Sequence, residues 1–351
     1  MSGTPLVIAH RGASGYVPEH TLTAYFIAMQ AGADFIEPDL VMTGDGVLVA
    51  RHENEISATT NVADEPRFAA RRTHRTIDGT DTHGWFTEDF TLAELKSLRV
   101  RERIPQLRPG NVRFDGQFEI ATLEEILALV QGVQGQRARR AALLGLPAPP
   151  PIGIYPETKH PSHFAARGLP MEAALVATLA RFGYAGAAAP VWLQSFEVGN
   201  LIALAGMTQL RRVQLIEEGG APYDRVLAHD PRTYADLITP AGLAGIAAYA
   251  HAIGPPKSLI LARRADGTLG EPTGLVAAAH AAGLALHPWT FRAENHFLPP
   301  GLRRGTDPAA HGDLAGEIRA YLAAGIDGFF TDQPEIGVAA RDAFLAGGGG
   351  A

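Results

Sequence analysis

Short apolar segments alternate with segments of helical periodicity along most of this chain, and this alternation constrains the fold more than any other feature. It begins with an apolar segment at residues 6–9, a helix over 21–32 that Thr21 can cap and Gly32 can end, and a second apolar segment at 35–41. Further strands are predicted at residues 152–155, 191–195, 212–216, 252–254, 258–261, 284–287 and 328–331, and helices at 122–130, 171–182, 198–205, 240–250, 274–282 and 314–324. Strands separated by helices predict an α/β fold with a parallel sheet.

The length and composition of the chain suit one large core. With 351 residues, of which 46% are hydrophobic, we predict a single TIM-type (β/α)8 barrel domain over residues 1–351, and strand candidates beyond eight lie outside the barrel. Residues 53–119 interrupt the alternation because they are polar and hold only short amphipathic pieces, so we predict a small polar insertion over the active face. The Arg-, Ala- and Pro-rich residues 136–151 predict a surface excursion, and residues 347–351 a disordered end.

Composition also argues against several classes of partner and site. The formal net charge of −7 and the pI near 6.0 do not suit a nucleic-acid or membrane-surface binder. The absence of cysteine excludes disulfides, thiolate metal sites and thiol nucleophiles. Residues 1–5 are too few and too polar for a signal peptide, and no apolar run approaches the ~18 residues of a membrane span. We expect a soluble protein that binds a small molecule, without a transmembrane segment.

The first candidate site follows the first predicted strand. His10 and Arg11 stand where that strand ends, which is where α/β enzymes keep their chemistry. Gly12 next to them lets backbone approach a ligand, and a histidine beside an arginine suits an anionic oxygen. The alternative is a loop that happens to begin with two polar residues.

The second candidate site lies on the next predicted strand, where Glu37 and Asp39 share one face by the period of two. Two buried carboxylates repel each other unless a cation compensates them, and a divalent cation would satisfy both. A turn at Gly44-Asp45 then returns the chain, which predicts that His52 lies opposite Glu37 to within a residue of register. Two histidines, an arginine and a carboxylate pair can therefore meet in space.

Three sequence patterns resemble those of glycerophosphodiester phosphodiesterases, in particular the exported bacterial type. They are His-Arg-Gly-Ala-Ser-Gly-Tyr-x-Pro-Glu-His-Thr from His10, Glu-x-Asp-Leu-Val-Met-Thr from Glu37 and Ile-Tyr-Pro-Glu-x-Lys from Ile154. Shorter similar stretches extend the resemblance over nearly the whole chain. One departure is that His52-Glu53 stands where the family usually has His-Asp. The resemblance implies hydrolysis of glycerophosphodiesters, such as glycerophosphocholine or glycerophosphoethanolamine, to glycerol 3-phosphate and an alcohol, and it suggests a periplasmic or secreted location.

A third carboxylate completes the predicted metal site. Glu157 follows a predicted strand, and with Glu37 and Asp39 it would bind a hard cation, whereas taken alone it would form a surface pair with Lys159. Oxygen ligands without thiolates favour Ca²⁺ or Mg²⁺ over zinc, and the resemblance tilts the choice to Ca²⁺.

The remaining roles follow from the charge of a phosphodiester and from the resemblance. Arg11 and Lys159 would neutralise phosphate oxygens, and by resemblance His10 would be the general base and His52 the acid that protonates the leaving alcohol. Glu19 would cap the following helix or contact the glycerol hydroxyls, and the candidates for the pocket wall are Gln194, Trp289 and Asp332. Surface positions are expected for His74 and His83, and a loop for His160 and His163. Alternative functions are phospholipase D-like hydrolysis of lysophospholipids and glycerol phosphate binding without turnover.

Overall fold

A closed barrel of eight parallel strand positions forms the centre of the computed structural model, which describes residues 3–348; the predicted disordered end falls partly outside this range. The barrel strands are, in chain order, Leu6–His10, Phe35–Glu37 continued by Asp39–Met42, Gly153–Ile154 continued by Glu157–Thr158, Trp192–Ser195, Arg211–Leu215, Ala252–Gly254, Ala285–Leu286 and Gly328–Thr331. The last strand pairs with the first in parallel, Leu6 opposite Gly328, which closes the barrel. The TIM-type fold predicted from the alternation is confirmed.

The second barrel strand is divided at Pro38, which lacks the N–H that a continuous strand would need. Its second half continues through a tight turn into Leu48–Ala50, an antiparallel strand outside the barrel. Leu40 lies opposite Ala50 in this hairpin, so His52 falls opposite Pro38, one residue from the predicted register with Glu37.

The helices pack outside the strands, and several begin at the predicted caps. The Thr21 side chain accepts a hydrogen bond from the N–H of Ala24, and Thr122 forms a capping box with Glu125. The α-helices are Leu22–Gln30, Leu92–Lys96, Leu123–Leu143, Pro161–Ala166, Met171–Arg181, Val198–Met207, Tyr223–Leu227, Tyr234–Leu237, Pro240–Ala247, Leu275–Ala281, Leu314–Ala323 and Pro334–Ala346. No helix among the described residues is long and apolar enough to cross a membrane.

Two predictions about local structure were wrong, and two elements were missed. The helix predicted to end at residue 130 continues to Leu143 and includes the first part of the surface excursion predicted over residues 136–151, because Arg and Ala are strong helix formers. Residues 258–261, predicted as extended, begin in the 3-10 turn Lys257–Leu259. The final helix Pro334–Ala346 and the hairpin of Leu261–Arg263 with Leu269–Pro272 were not predicted.

Residues 53–119 contain a hairpin of Thr73–Ile77 with Thr80–Gly84, the short helix Leu92–Lys96 and several 3-10 turns. Although its composition is polar, this segment also buries apolar side chains. Ile56, Phe68 and Phe90 are among its side chains that join the main hydrophobic cluster. Its short elements are therefore anchored by apolar side chains as well as by surface charge.

Candidate active site

A cavity of about 950 Å³ opens at the carboxyl ends of the barrel strands. Both candidate histidines, His10 and His52, line it together with Arg11 and Lys159. The other predicted site residues that reach the cavity are Glu37, Asp39, Glu157, Gln194 and Trp289. The carboxyl ends of parallel strands meet at one face of a barrel, which brings together residues that are far apart in sequence.

Three buried carboxylates form one cluster in this cavity. Glu37, Asp39 and Glu157 each offer an oxygen that lies within 4.8 Å of the other two, and this is the one such cluster that the described residues contain. Asp39 and Glu157 are partners in neighbouring parallel strands, so their proximity follows directly from the register.

The charge of this cluster is not balanced by the protein alone. Burial raises the pKa of Glu37 well above its usual range, and the neighbouring carboxylate of Asp39 acts in the same direction. Burial also raises the pKa of Glu157 to about 8, against the effect of Lys159. Although burial opposes ionisation of Asp39 as well, Arg11 holds the pKa of that carboxyl well below its usual range. The neighbouring positive side chains therefore do not fully compensate Glu37 and Glu157. A hard divalent cation would compensate them, and the three acids together fit such an ion.

Arg11 is held against the carboxylate cluster by several contacts. Its backbone N–H donates to Oε2 of Glu37 at 2.8 Å, and its Nε lies 3.1 Å from Oδ2 of Asp39. Its φ of 59° is a left-handed conformation that a bulky residue adopts only when its surroundings require it. On the other side of the cluster, Nζ of Lys159 lies 3.0 Å from Oε1 of Glu157.

Glu19 is buried and contacts arginines. It accepts hydrogen bonds from Nη1 of Arg11 at 3.0 Å and from Nε of Arg103 at 2.9 Å. The cap of the following helix is Thr21, so the capping role expected for Glu19 is wrong. Glu19 is not among the described residues that line the cavity.

His10 is oriented by Asp332. The Nδ1 atom of His10 and Oδ1 of Asp332 are 2.6 Å apart, which leaves Nε2 as the ring nitrogen free for other contacts. Asp332 also accepts hydrogen bonds from Arg108 and from Nε of Arg292, the latter at 2.8 Å. Burial, with Arg11 beside it, lowers the pKa of His10 to about 4, although Asp332 acts in the opposite direction. His10 is therefore neutral near pH 7.

His52 has the same type of partner. Its Nδ1 lies 2.8 Å from Oε1 of Glu53, so that Nε2 is again the free ring nitrogen. Burial, with Arg11 and Lys159 nearby, lowers the pKa of His52. The two histidines thus form two separate histidine–carboxylate pairs that face one cavity.

Gln194 and Trp289 both line the cavity, as predicted. The amide Nε2 of Gln194 donates to Oε1 of Glu37 at 3.0 Å, whereas its Oε1 is buried without a hydrogen-bond partner among the described residues. The indole Nε1 of Trp289 donates to the carbonyl of Gly254 at 2.9 Å, which holds the ring at the cavity wall.

Among the other histidines, His74 and His83 are exposed on the outer hairpin, as predicted. His160 lies in a bend outside any helix or strand, as predicted, in a left-handed conformation directly before the helix Pro161–Ala166, whereas the loop predicted for His163 was wrong because His163 lies within that helix. The signal for this helix was Pro161, a residue that is common at the first position of helices.

Sequence reasoning missed the partners of the candidate histidines. Asp332 was predicted as a wall residue but is not among the described residues that line the cavity; it holds His10 from behind the wall, and Arg108 and Arg292 were not considered at all. His20, which lies 3.0 Å from Oδ2 of Asp39, was also missed. The position of Asp332 directly after the last barrel strand was the signal that could have drawn attention to it.

The fold and the site together define an α/β-barrel enzyme whose cavity suits an anionic phosphate ester. The chain belongs to the glycerophosphoryl diester phosphodiesterase family, whose sequence profile matches residues 10–336. It is 35% identical over 342 residues to a glycerophosphodiester phosphodiesterase of Arabidopsis thaliana. That alignment covers 93% of this chain and 83% of the relative. It is 28% identical to the glycerophosphodiester phosphodiesterase of Haemophilus influenzae, which covers 96% of this chain and 90% of the relative.

Solved structures support the same fold. A phosphodiesterase of Oleispira antarctica, determined in complex with the product sn-glycerol-3-phosphate, superposes with a TM-score of 0.60 at 20% identity and covers 97% of each chain. At this level of identity the likeness concerns the barrel.

Proposed function

We propose that this enzyme hydrolyses glycerophosphodiesters, such as glycerophosphocholine and glycerophosphoethanolamine, to glycerol 3-phosphate and the free alcohol. The observation that supports the proposal best is the pair of histidines, His10 and His52, each bound through Nδ1 to a carboxylate and each lining the cavity that holds the three buried acids. Two such pairs can divide the removal and the delivery of a proton.

The cofactor in this proposal is a divalent cation held by Glu37, Asp39 and Glu157, with Ca²⁺ favoured and Mg²⁺ the alternative. When bound, the cation neutralises negative charge on the phosphodiester. Arg11 and Lys159 add two fixed positive charges at the same edge of the cavity. In this proposal Glu19 holds the guanidinium of Arg11 and does not itself contact the substrate.

The proton transfers are assigned to the free Nε2 atoms. His10, neutral near pH 7, takes the proton of the glycerol 2-hydroxyl, whose oxygen attacks phosphorus. The bond between phosphorus and the head-group oxygen breaks, and His52 delivers a proton to that oxygen. Water then opens the cyclic phosphate with the two histidines in exchanged roles. The pKa of His52 is low in the free protein, and an anionic phosphodiester placed beside it favours the protonated form that the first step needs.

The residues of one cavity wall are of the types that bind a cationic head group. Phe196 contacts both Trp289 and Tyr234, with ring centroids 6.2 and 6.3 Å apart, so that three aromatic rings form one wall. Glu217 is exposed, lines the same cavity and adds negative charge, whereas burial raises the pKa of Glu197, which also lines the cavity, to about 7. Aromatic faces and carboxylates attract quaternary or primary ammonium groups, which choline and ethanolamine carry.

The segment of residues 53–119 also belongs to the proposed site. Its residues Glu53, Asp78 and Arg103 line the cavity beside the barrel residues. We propose that this segment is an insertion that covers the active face and excludes water from the reaction.

The test is an assay of released glycerol 3-phosphate, with and without exhaustive EDTA treatment. Glycerophosphocholine should be hydrolysed, EDTA should abolish turnover, and added Ca²⁺ or Mg²⁺ should restore it. Absence of glycerol 3-phosphate under every metal condition would contradict the proposed reaction, and full activity of the metal-free protein would contradict the three-carboxylate site.

The head-group assignment has a separate test. Glu217→Gln should lower kcat/KM for glycerophosphocholine about fivefold, equivalent to ~1 kcal/mol of lost attraction at an exposed site, and leave glycerophosphoglycerol unchanged. The neighbouring Glu218→Gln, which removes an equal charge outside the cavity wall, is the control. Equal losses on both substrates would contradict a cationic head-group site.

A further inference from the structure

A chain of alternating imidazole and carboxylate groups leads away from His52 toward the outer hairpin. Glu53 contacts His52 with Oε1, and its other oxygen, Oε2, lies 3.0 Å from Nε2 of His160. Nδ1 of His160 lies 2.7 Å from Oδ2 of Asp78, in the turn of that hairpin. Four side chains from three separate segments of the chain are thus joined in one line.

The backbone at two of these positions is unusual. His160 has a φ of 48° and Asp78 a φ of 47°, the left-handed region that residues other than glycine seldom adopt. Such conformations persist only where the surrounding structure enforces them, and they cluster at functional sites. Both residues also line the cavity, so this line of side chains belongs to its wall.

The charges along the line are complementary. Both ring nitrogens of His160 face carboxylate oxygens, so the ring must donate two N–H bonds, which only the protonated imidazole can do. Burial opposes this charge, but Asp78 and Glu53 outweigh it and raise the pKa of His160 to about 9. One oxygen of Glu53 is therefore held by a cation, and the other accepts the Nδ1–H of His52.

We propose that Glu53, His160 and Asp78 are positioning residues that fix the ring orientation and the tautomer of His52, so that the hairpin Thr73–Gly84 takes part in catalysis. The inference rests on the proposed role of His52 as the acid. The side chain of Glu53 contacts both histidines. The aspartate usual in the family has a shorter side chain, which would reach less far.

The dependence on the leaving group is specific to the first step, in which His52 acts as the acid. As the bond from phosphorus to the head-group oxygen breaks, the protonated His52 gives its Nε2 proton to that oxygen and becomes neutral, keeping Nδ1–H on Glu53. Misplacement of the ring slows this step only when the leaving group needs the proton. A nitrophenolate leaves readily without one, whereas choline does not.

The experiment compares glycerophosphocholine with glycerol 3-(4-nitrophenyl phosphate) in Glu53→Gln, His160→Gln and Asp78→Asn. With glycerophosphocholine, kcat should fall about tenfold or more in Glu53→Gln, the scale expected for loss of an outer partner, and by a smaller factor in the other two. With the nitrophenyl substrate, the rate of nitrophenolate release in the first turnover, which reports only the step in which His52 acts as acid, should stay within about twofold of the wild-type rate in each variant. Glu53→Asp should recover part of the loss.

The control is His83→Gln, an exposed histidine on the same hairpin, which should match the wild type on both substrates. The ring 15N chemical shifts of His52 provide a readout besides activity and should show loss of the fixed Nδ1–H tautomer in Glu53→Gln. Equal losses on the two substrates, or unchanged shifts and rates, would overturn the proposal. Failure of the wild type to release glycerol 3-phosphate from either substrate would instead overturn the proposed function.

Discussion

At the scale of single residues, the clearest feature is the group of three buried acids, Glu37, Asp39 and Glu157. The ionised form of a buried carboxyl group is stable only with positive charge nearby. Glu37→Gln removes one negative charge and one strong oxygen ligand at nearly constant volume. We expect the dissociation constant for Ca²⁺ to rise at least about tenfold, measured by titration calorimetry, since even loss of an outer partner costs about 10–100-fold. Glu124→Gln, a surface change at a residue paired with Arg181, should bind Ca²⁺ as the wild type does.

The two histidines should differ in their response to the leaving group. His10→Ala and His52→Ala should each lower kcat for glycerophosphocholine by about 10² or more, the scale of a lost general base or acid. With the nitrophenyl substrate, the defect of His52→Ala should shrink while that of His10→Ala persists. The same defect for both variants on both substrates would refute the division of roles.

His160 should make stability depend on pH. Its pKa is raised from 6.5 to about 9, so its charged form stabilises the fold fully below pH 6.5, and this stabilisation is lost as pH rises through 9. Because Glu53 and Asp78 are partly exposed, we expect a loss of only about 1–2 kcal/mol between pH 6.5 and 9.5. Urea unfolding of His160→Gln should lack this loss; an equal loss in the variant would assign it to other groups.

At the scale of elements, the turn after the first strand depends on close packing against the first helix. Gly12 has a φ of 83°, and a Cβ there would lie 2.6 Å from the carbonyl carbon of Ala24. Gly12→Ala should therefore lower the free energy of unfolding by roughly 3 kcal/mol or more. Gly32→Ala is a matched control, because its φ of 88° is similar but its nearest neighbour, a methyl of Val338, lies 3.8 Å away. It should cost only ~1 kcal/mol, and equal losses in urea unfolding would contradict the packing argument.

At the scale of the whole molecule, Arg108 joins residues 53–119 to the barrel. It is buried, it donates to Glu294 at 2.6 Å and to the carbonyl of Ser14 at 2.9 Å, and it contacts Asp332. Arg108→Met would leave two buried carboxylates without this cation, so urea unfolding should show a loss of about 3–5 kcal/mol. Arg113→Ala, an exposed arginine of the same segment, should change stability by less than ~0.5 kcal/mol. A loss below ~1 kcal/mol in Arg108→Met would show that this contact does not join the two parts.

Much of the barrel could be predicted because its signals are local. Short apolar runs, helix caps such as Thr21 and Thr122, and glycines after helices act within a few residues, so the order of the eight barrel strands followed from the sequence alone. The meeting of His10, Glu37 and Glu157 also followed, since residues at the carboxyl ends of parallel strands converge whatever the details of packing.

Only the tertiary structure decided which partners these residues have. Asp332 lies 322 residues from His10, and Asp78 lies 82 residues from His160, so no local pattern links either pair. Such contacts depend on how whole elements pack against one another, and the field that shifts each pKa is the sum of charges brought together by that packing. The sequence by itself thus determined the order of the barrel strands and the residues at the barrel face, whereas the contact of Asp332 with His10 and that of Asp78 with His160 were decided by long-range packing.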